Sequence, residues 1–212
     1  MKRTFLVIAV FAILVSCNRT QKNESKDEST DPKSKVEKPS AVVPKQNKLF
    51  GIEAAYVKYQ NNVAGQELIR EWWFDQYGNR QYEEYYGDIM GQKTGSKSLV
   101  LDGYKYNWDF DDESGTKSRF YHATTNYDEV SDEDIKKYGI QKHGYEEIMG
   151  KKCLKVTTEK PVKSTSWVWN NIPLRTEAVY AGNNMIMEVI EISTSNIDEK
   201  IFEMPEGITF SE

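Results

Sequence analysis

The stretch that most restricts the fold is Tyr104-Lys105-Tyr106-Asn107-Trp108-Asp109-Phe110, in which every even position is aromatic and every odd position polar. A period of two describes an extended strand with one buried face and one wet face; a helix would scatter those four rings around its axis. The run follows Ser98-Leu99-Val100-Leu101 through Asp102-Gly103, a pair that tolerates the positive φ angles of a two-residue hairpin, so the two runs predict an antiparallel pair. The same pattern recurs along the chain. Gln66 to Phe74 turns through Tyr77-Gly78-Asn79 into Gln81 to Tyr86, and Leu174 to Tyr180 turns through Ala181-Gly182-Asn183 into Met185 to Ile192. Ile52 to Tyr59 reads as the first strand, and Lys151 to Lys160 with Ser164 to Trp169 as a further hairpin.

All five Trp and all thirteen Tyr lie from Asn47 onward, and no apolar pattern at helical spacing persists there beyond two turns. One helix is predicted over Asp132 to Tyr138. Ser131 is its cap, Asp132, Glu133 and Asp134 sit at the positive end of the dipole, Lys136 and Lys137 at the negative end, and Gly139 can close it in the left-handed conformation. Ile135 and Tyr138 are its expected contacts with the sheet. A sheet of nine to eleven strands tends to curl into a complete or partial barrel. The expected fold is therefore mainly β: a single curved antiparallel sheet, an open half-barrel, with one short helical insertion, over residues 48–212.

The N-terminus carries a different message. Lys2 and Arg3 precede an eleven-residue apolar run, Phe5 to Val15, which is too short to span a bilayer and reads as a signal peptide over residues 1–16. Its exit, Leu14-Val15-Ser16-Cys17, resembles the bacterial lipobox. The resemblance implies cleavage between Ser16 and Cys17, a diacylglyceryl group on the Cys17 thiol and a further acyl chain on its amine. Such multiple acylation would anchor the chain in a membrane. From Asn18 to Asn47 the chain is rich in Lys, Glu, Ser, Asp and Pro without one aromatic residue, so residues 17–47 are expected to be the lipidated cysteine and a disordered tether with a reach of about 30 Å. Within it, "QKNESKDE" resembles the charged stretch that acts as a surface-export signal in some Gram-negative lipoproteins, and plain solvated linker is the other reading. The expected location is the cell envelope, at the outer membrane, facing the periplasm or the exterior.

Charge excludes one class of partner. The tether holds seven basic and five acidic residues, and the remainder from Asn47 onward holds 19 and 28, a net charge of −9. So acidic a domain repels phosphate backbones, and nucleic acid is not an expected partner.

Catalytic chemistry finds little support. His122 and His143 have no second ligand at metal spacing, so neither a metal site nor a cofactor is expected. Once Cys17 is acylated, Cys153 has no disulfide partner and reads as a buried structural thiol, with a Cys153–His143 dyad as the remote alternative. The carboxylates of Asp109, Asp111, Asp112 and Glu113 lack the spacing of a calcium loop and read as a solvated hairpin turn.

Three segments carry a family resemblance: Glu147-Ile148-Met149-Gly150-Lys151-Lys152-Cys153-Leu154-Lys155-Val156, then Trp167-Val168-Trp169-Asn170-Asn171-Ile172-Pro173-Leu174, then Ile201-Phe202-Glu203-Met204-Pro205-Glu206-Gly207-Ile208. The Gly-x-x-Cys, the Trp strand with its Ile-Pro-Leu step, and the closing Phe-x-x-Pro resemble uncharacterised bacterial lipoproteins similar in layout to the LolA/LolB-type outer-membrane lipoprotein carriers. That resemblance implies an open, curved sheet partly closed by helices around an apolar groove for acyl chains. Independently of it, Asn171-Ile172-Pro173 reads as a strand break, because proline cannot donate to a ladder.

The strand aromatics Trp72, Tyr104, Tyr106, Trp108, Trp167 and Trp169 are the candidate ligand-lining residues, and they suit a groove wall or a plain core equally. The expected function is non-enzymatic: binding of an apolar ligand, a lipid or acyl chain, in a curved groove. A structural or protein-interaction module with a filled core is the alternative.

Overall fold

The computed structural model describes residues 48–63, 65–121, 126–195 and 197–212. The expected signal peptide, the lipid-bearing Cys17, the tether and His122 lie outside the described residues. Twelve strands form one sheet: β1 Ala55–Val63, β2 Gln66–Asp75, β3 Arg80–Ile89, β4 Gln92–Leu101, β5 Tyr104–Asp109, β6 Ser114–Arg119, β7 Gln141–Ile148, β8 Lys151–Thr158, β9 Lys163–Trp169, β10 Ile172–Tyr180, β11 Asn183–Ser193 and β12 Thr209–Ser211. Their order is β12-β6-β5-β4-β3-β2-β1-β11-β10-β9-β8-β7. All neighbours are antiparallel except β12, which runs parallel to β6. The two edges, β12 and β7, do not meet, so the sheet stays open as expected.

The strand count exceeds the expectation by one, because β12 has only three residues and no alternation to betray it. Other boundaries moved for local reasons. β1 begins at Ala55 rather than Ile52, because the preceding residues are tied off elsewhere: Tyr77 N donates to Glu53 O at 2.8 Å and Gly51 N to Asn170 O at 3.0 Å. β4 begins six residues before Ser98, through a stretch with no apolar residue. The expected break at Pro173 does not occur. Pro173 lies inside β10, beside a register shift between Pro173 and Arg175 that absorbs its missing donor. The helix α1, Asp132–Tyr138, matches its expected span: Asp134 N donates to Ser131 Oγ at 3.1 Å and Gly139 has φ 65°. Ile135 and Tyr138 are half-buried, while the residue that this segment buries fully is Ile140, just beyond the helix.

The curl of the sheet can be read from three residues. Leu49 N donates to Tyr77 O in the β2–β3 turn at 3.0 Å, and Gly51 N donates to Asn170 O in the β9–β10 turn. In a flat sheet those turns would stand four strand spacings apart, about 19 Å. Two residues of chain plus two hydrogen bonds reach about 13 Å. The strand ends therefore converge. Phe50 fills the space between them, its ring 5.0 Å from that of Trp72 and 4.6 Å from that of Phe74. Gly78 is needed there twice over: its φ is +91°, and a Cβ would stand 2.4 Å from the Phe50 ring. This is the closed end of the half-barrel, and the face carrying Trp72 and Phe74 is its inner face.

Two cores lie on opposite faces. Register pairs Val57 with Trp72 and Ala55 with Phe74, and these join Leu49, Phe50, Cys153, Ile172 and Leu174 in the inner core. On the outer face Trp73, Tyr82, Leu99 and Tyr106 stand in one row across β2 to β5. That row, with Trp108, is covered by Ile197, Ile201, Phe202, Ile208 and Phe210 from the chain after β11. Trp72 and Trp73, adjacent in sequence, thus serve different cores.

Candidate functional site

The inner face changes character across the sheet. One row runs Val57, Trp72, Glu83, Ser98, Asn107, and the next runs Tyr59, Arg70, Tyr85, Ser96, Asp109. Aromatic and aliphatic groups on β1 and β2 therefore give way to polar groups on β3 to β5. At the boundary Arg70 lies between two rings, its guanidinium carbon 5.2 Å from the Tyr59 centroid and 4.8 Å from that of Trp72. Its Nη2 donates to Glu83 Oε2 at 2.6 Å, and both side chains are about a quarter exposed. Burial alone would push the Glu83 carboxyl up, but the Arg70 charge and hydrogen bond more than offset it and hold the group below its ordinary value. Beside the pair, Tyr59 is fully buried, its hydroxyl has no hydrogen-bond partner among the described residues, and burial pushes its pKa well above the usual tyrosine range. A buried, unmatched hydroxyl costs about 1–3 kcal/mol. Nearby, Asn61 is also buried and its Nδ2 donates to Leu68 O at 3.4 Å.

The six sequence candidates do not converge on this place. Trp72 belongs to the inner core, Tyr106 and Trp108 to the outer one, and Tyr104 stands on the outer face in register with Leu101. Trp167 is buried in the inner core with its Nε1 donating to Glu146 Oε2 at 2.6 Å, and Trp169 packs at that core's edge. Their ring faces are covered from within the chain. Arg70 covers Trp72, Lys117 lies 4.2 Å over Tyr104 and 6.0 Å from Tyr106, Lys155 lies 5.0 Å over Trp167, and Lys151 lies 4.8 Å over Trp169. Trp108 meets Phe210 edge-on, with centroids 5.8 Å apart. Sequence reasoning named these rings and missed Tyr59, Arg70 and Glu83. The available signal was an Arg and a Glu at diagonal positions of a single hairpin, Arg70 facing Tyr85 and Glu83 facing Trp72.

Surface clefts among the described residues include two. One, of about 300 Å³, is lined by Gln76, Asn79, Arg80, Leu101, Asp102 and Gly103. The other, of about 270 Å³, is lined by Tyr127, Asp128, Tyr145, Lys152, Leu154, Val168, Trp169, Asn170 and Asn171. Both are rich in polar groups, and neither includes Tyr59, Arg70 or Glu83.

The remaining chemical groups are separated. Cys153 is fully buried in β8, with Sγ 3.3 Å from Lys151 O, and burial raises its pKa. His143 Nε2 lies 2.8 Å from Thr157 Oγ1, while Cys153 stands opposite Glu146, so these two residues do not form a dyad. Among the described residues no three His, Cys, Asp or Glu side chains group as metal ligands.

No protein-family model matches the chain, and no curated protein matches it. Solved structures are similar in fold. An uncharacterised conserved protein from Thermus thermophilus is 11% identical over 75% of this chain and 90% of its own, with a TM-score of 0.54. MucB in the Pseudomonas aeruginosa MucA/MucB complex is 10% identical over 74% of this chain and 57% of its own, with a TM-score of 0.47. A putative outer membrane lipoprotein-sorting protein domain from Vibrio parahaemolyticus is 10% identical over 71% and 89%, with a TM-score of 0.34. At 11% identity, the likeness to the Thermus thermophilus protein is one of fold.

Proposed function

We propose that the chain is a lipid-anchored module of the bacterial cell envelope whose sheet domain binds a partner protein and catalyses no reaction. The observation that carries this reading is the filled interior: the strand aromatics that could have lined a groove are packed into two cores or covered by the chain's own cations. A solid, acidic domain offers its faces and edges to a partner. Among them is β7, which among the described residues pairs only with β8 and is exposed at every residue but Ile148. Lipobox and tether, read from the sequence, supply the anchor.

One observation favours a second reading, a lipid or acyl chain held against the inner face. The Arg70–Glu83 pair, about a quarter exposed, stands on the inner face where the apolar groups of β1 and β2 meet the polar ones of β3 to β5, and there a ligand's polar end would find partners.

Native mass spectrometry of the full chain, purified from membranes of a Gram-negative host, separates these readings. The module reading expects a mature chain beginning at acylated Cys17 with no further lipid after detergent exchange. A lipid retained at one per chain, and lost in Arg70→Leu, moves the assignment to the second reading. An unacylated chain recovered from the soluble fraction overturns the anchor.

A further inference from the structure

The cleft of about 270 Å³ beside the sheet edge does not belong to either core, and its lining is unusual for a mere surface dent. Tyr145 on β7, Leu154 on β8 and Val168 on β9 stand in one cross-strand row and form its floor. Tyr145 is 59% exposed, although an edge strand in contact with water does not need a ring there. The ring is held on one side by Lys152, whose Nζ lies 4.4 Å from its centroid. Around it stand a carboxylate, Asp128, two amides, Asn170 and Asn171, and a second phenol, Tyr127. The Asn170-Asn171 turn is pinned to the body of the domain by Asn171 Nδ2 donating to Leu49 O at 3.2 Å and by Gly51 N donating to Asn170 O. The Asp128 loop is shaped by its own N–H donating to Asn126 Oδ1 at 3.1 Å.

From this arrangement the geometry points to a binding site for one pyranose ring of a neutral saccharide. A sugar ring presents an apolar C–H face, which suits the open face of a flat aromatic, and a rim of hydroxyls that both donate and accept. Asp128 accepts, Lys152 donates, and the two amides do both, so each hydroxyl orientation has a counterpart. The volume lies just below the range of pockets that enclose drug-sized ligands, about 300–1,000 Å³, which suits one ring of a longer chain. An acyl chain is a poor match, since half the lining is polar. An anionic ligand is a poor match too, since Asp128 stands against the single Lys152 in an acidic domain. The cross-strand row of the site lies on the face opposite the Arg70–Glu83 pair and meets the inner core at Trp169, and the site does not depend on the function proposed above.

The test uses the full chain and two soluble tetrasaccharides, a β-1,4-linked N-acetylglucosamine tetramer and its β-1,4-linked glucose counterpart. Binding is followed by amide chemical shifts in the ¹⁵N-labelled chain. Saturable shifts are expected at Tyr127, Asp128, Tyr145, Lys152 and Asn170 with at least one of the two, and the sugar that binds fixes whether an acetamido group is needed. Tyr145→Ala removes an exposed side chain and should leave the melting temperature unchanged while weakening binding about tenfold. Asp128→Asn should weaken it less, by about threefold. Tyr180→Ala, which removes an exposed ring on the β10–β11 hairpin, should bind as the natural chain does. Absence of saturable shifts up to about 20 mM of both sugars overturns the assignment, as does undiminished binding in Tyr145→Ala.

Discussion

If Leu49–Gly51 draws the strand ends together, Phe50 should be among the most consequential side chains of the domain. Its ring is 5% exposed and contacts Trp72 and Phe74. Removing about 200 Å² of apolar surface from burial at about 25 cal/mol/Å² corresponds to about 5 kcal/mol. Partial collapse of the neighbouring rings reduces this, so Phe50→Ala should cost about 3–4 kcal/mol, within the range for buried Phe→Ala changes. For a domain of this size that lowers the melting temperature by about 8–14 °C. Gly78→Ala supplies the control. In the natural chain it incurs left-handed strain and a methyl group 2.4 Å from the Phe50 ring. In the Phe50→Ala background the strain and a tight 3.2 Å approach to the Leu49 Cβ remain but the ring clash is gone, so the two changes should be less costly together than their sum, with a coupling of about 1 kcal/mol or more. Urea unfolding followed by tryptophan fluorescence measures all four corners of the cycle. A Phe50→Ala cost below about 1 kcal/mol, or strict additivity, would show that these three residues do not hold the curl.

Tyr59→Phe should raise stability by about 1 kcal/mol, because it deletes a buried hydroxyl without a partner; a loss of stability in the same urea titration would mean that the hydroxyl is bonded. Glu83 has a depressed pKa, so its contribution is present above the unfolded carboxylate value of about 4.3 and is lost as pH falls through the lower folded value. Glu83→Gln should therefore be less stable by about 1 kcal/mol at pH 7, with the gap closing as pH falls through the folded value, and a constant gap at every pH would refute the pairing. The Cys153 thiol should resist a disulfide reagent at pH 8 in the folded chain and react once it is unfolded in urea; rapid native labelling would contradict its burial. Ser131→Ala should weaken α1 by about 1 kcal/mol, read as faster amide exchange at Asp134 and Ile135.

The elements most legible in the sequence were those in which one local signal decides. Ser131, the acid triplet and Gly139 determine where α1 starts and stops whatever lies around it, and Tyr104 to Trp108 alternates because each side chain meets one face only. β4 was half legible. Gln92 to Lys97 owes its place to partners on β3, with Lys93 and Lys97 both within 4.0 Å of Glu84 and Lys93 4.0 Å over the Tyr86 ring. Such cross-strand support leaves no trace along the segment itself. The inner-face site was illegible for a related reason. Alternation reads the polar positions of β5 as wet, because it marks which residues share a face but not which way the sheet curls. Its direction is fixed by Leu49–Gly51, three residues distant in sequence from both turns that they join. Trp72 and Trp73 show the same limit: the pattern places them on opposite faces and cannot say that both faces are covered.

The pairing of β1 with β11 has a consequence for how the molecule is assembled. Every other antiparallel neighbour in the sheet is joined by a local connection, but Tyr56 must find Ser193 across nearly the whole domain. A chain emerging from a channel amino end first would carry two ladders not paired to each other, β1 to β6 and β7 to β10, whose facing edges β1 and β10 both lack their partner. They would become one molecule only when Asn183–Ser193 arrives and zips them along the middle, a late and entropically slow event. Until then the nascent protein is most exposed to misjoining with its own copies along that unmade seam.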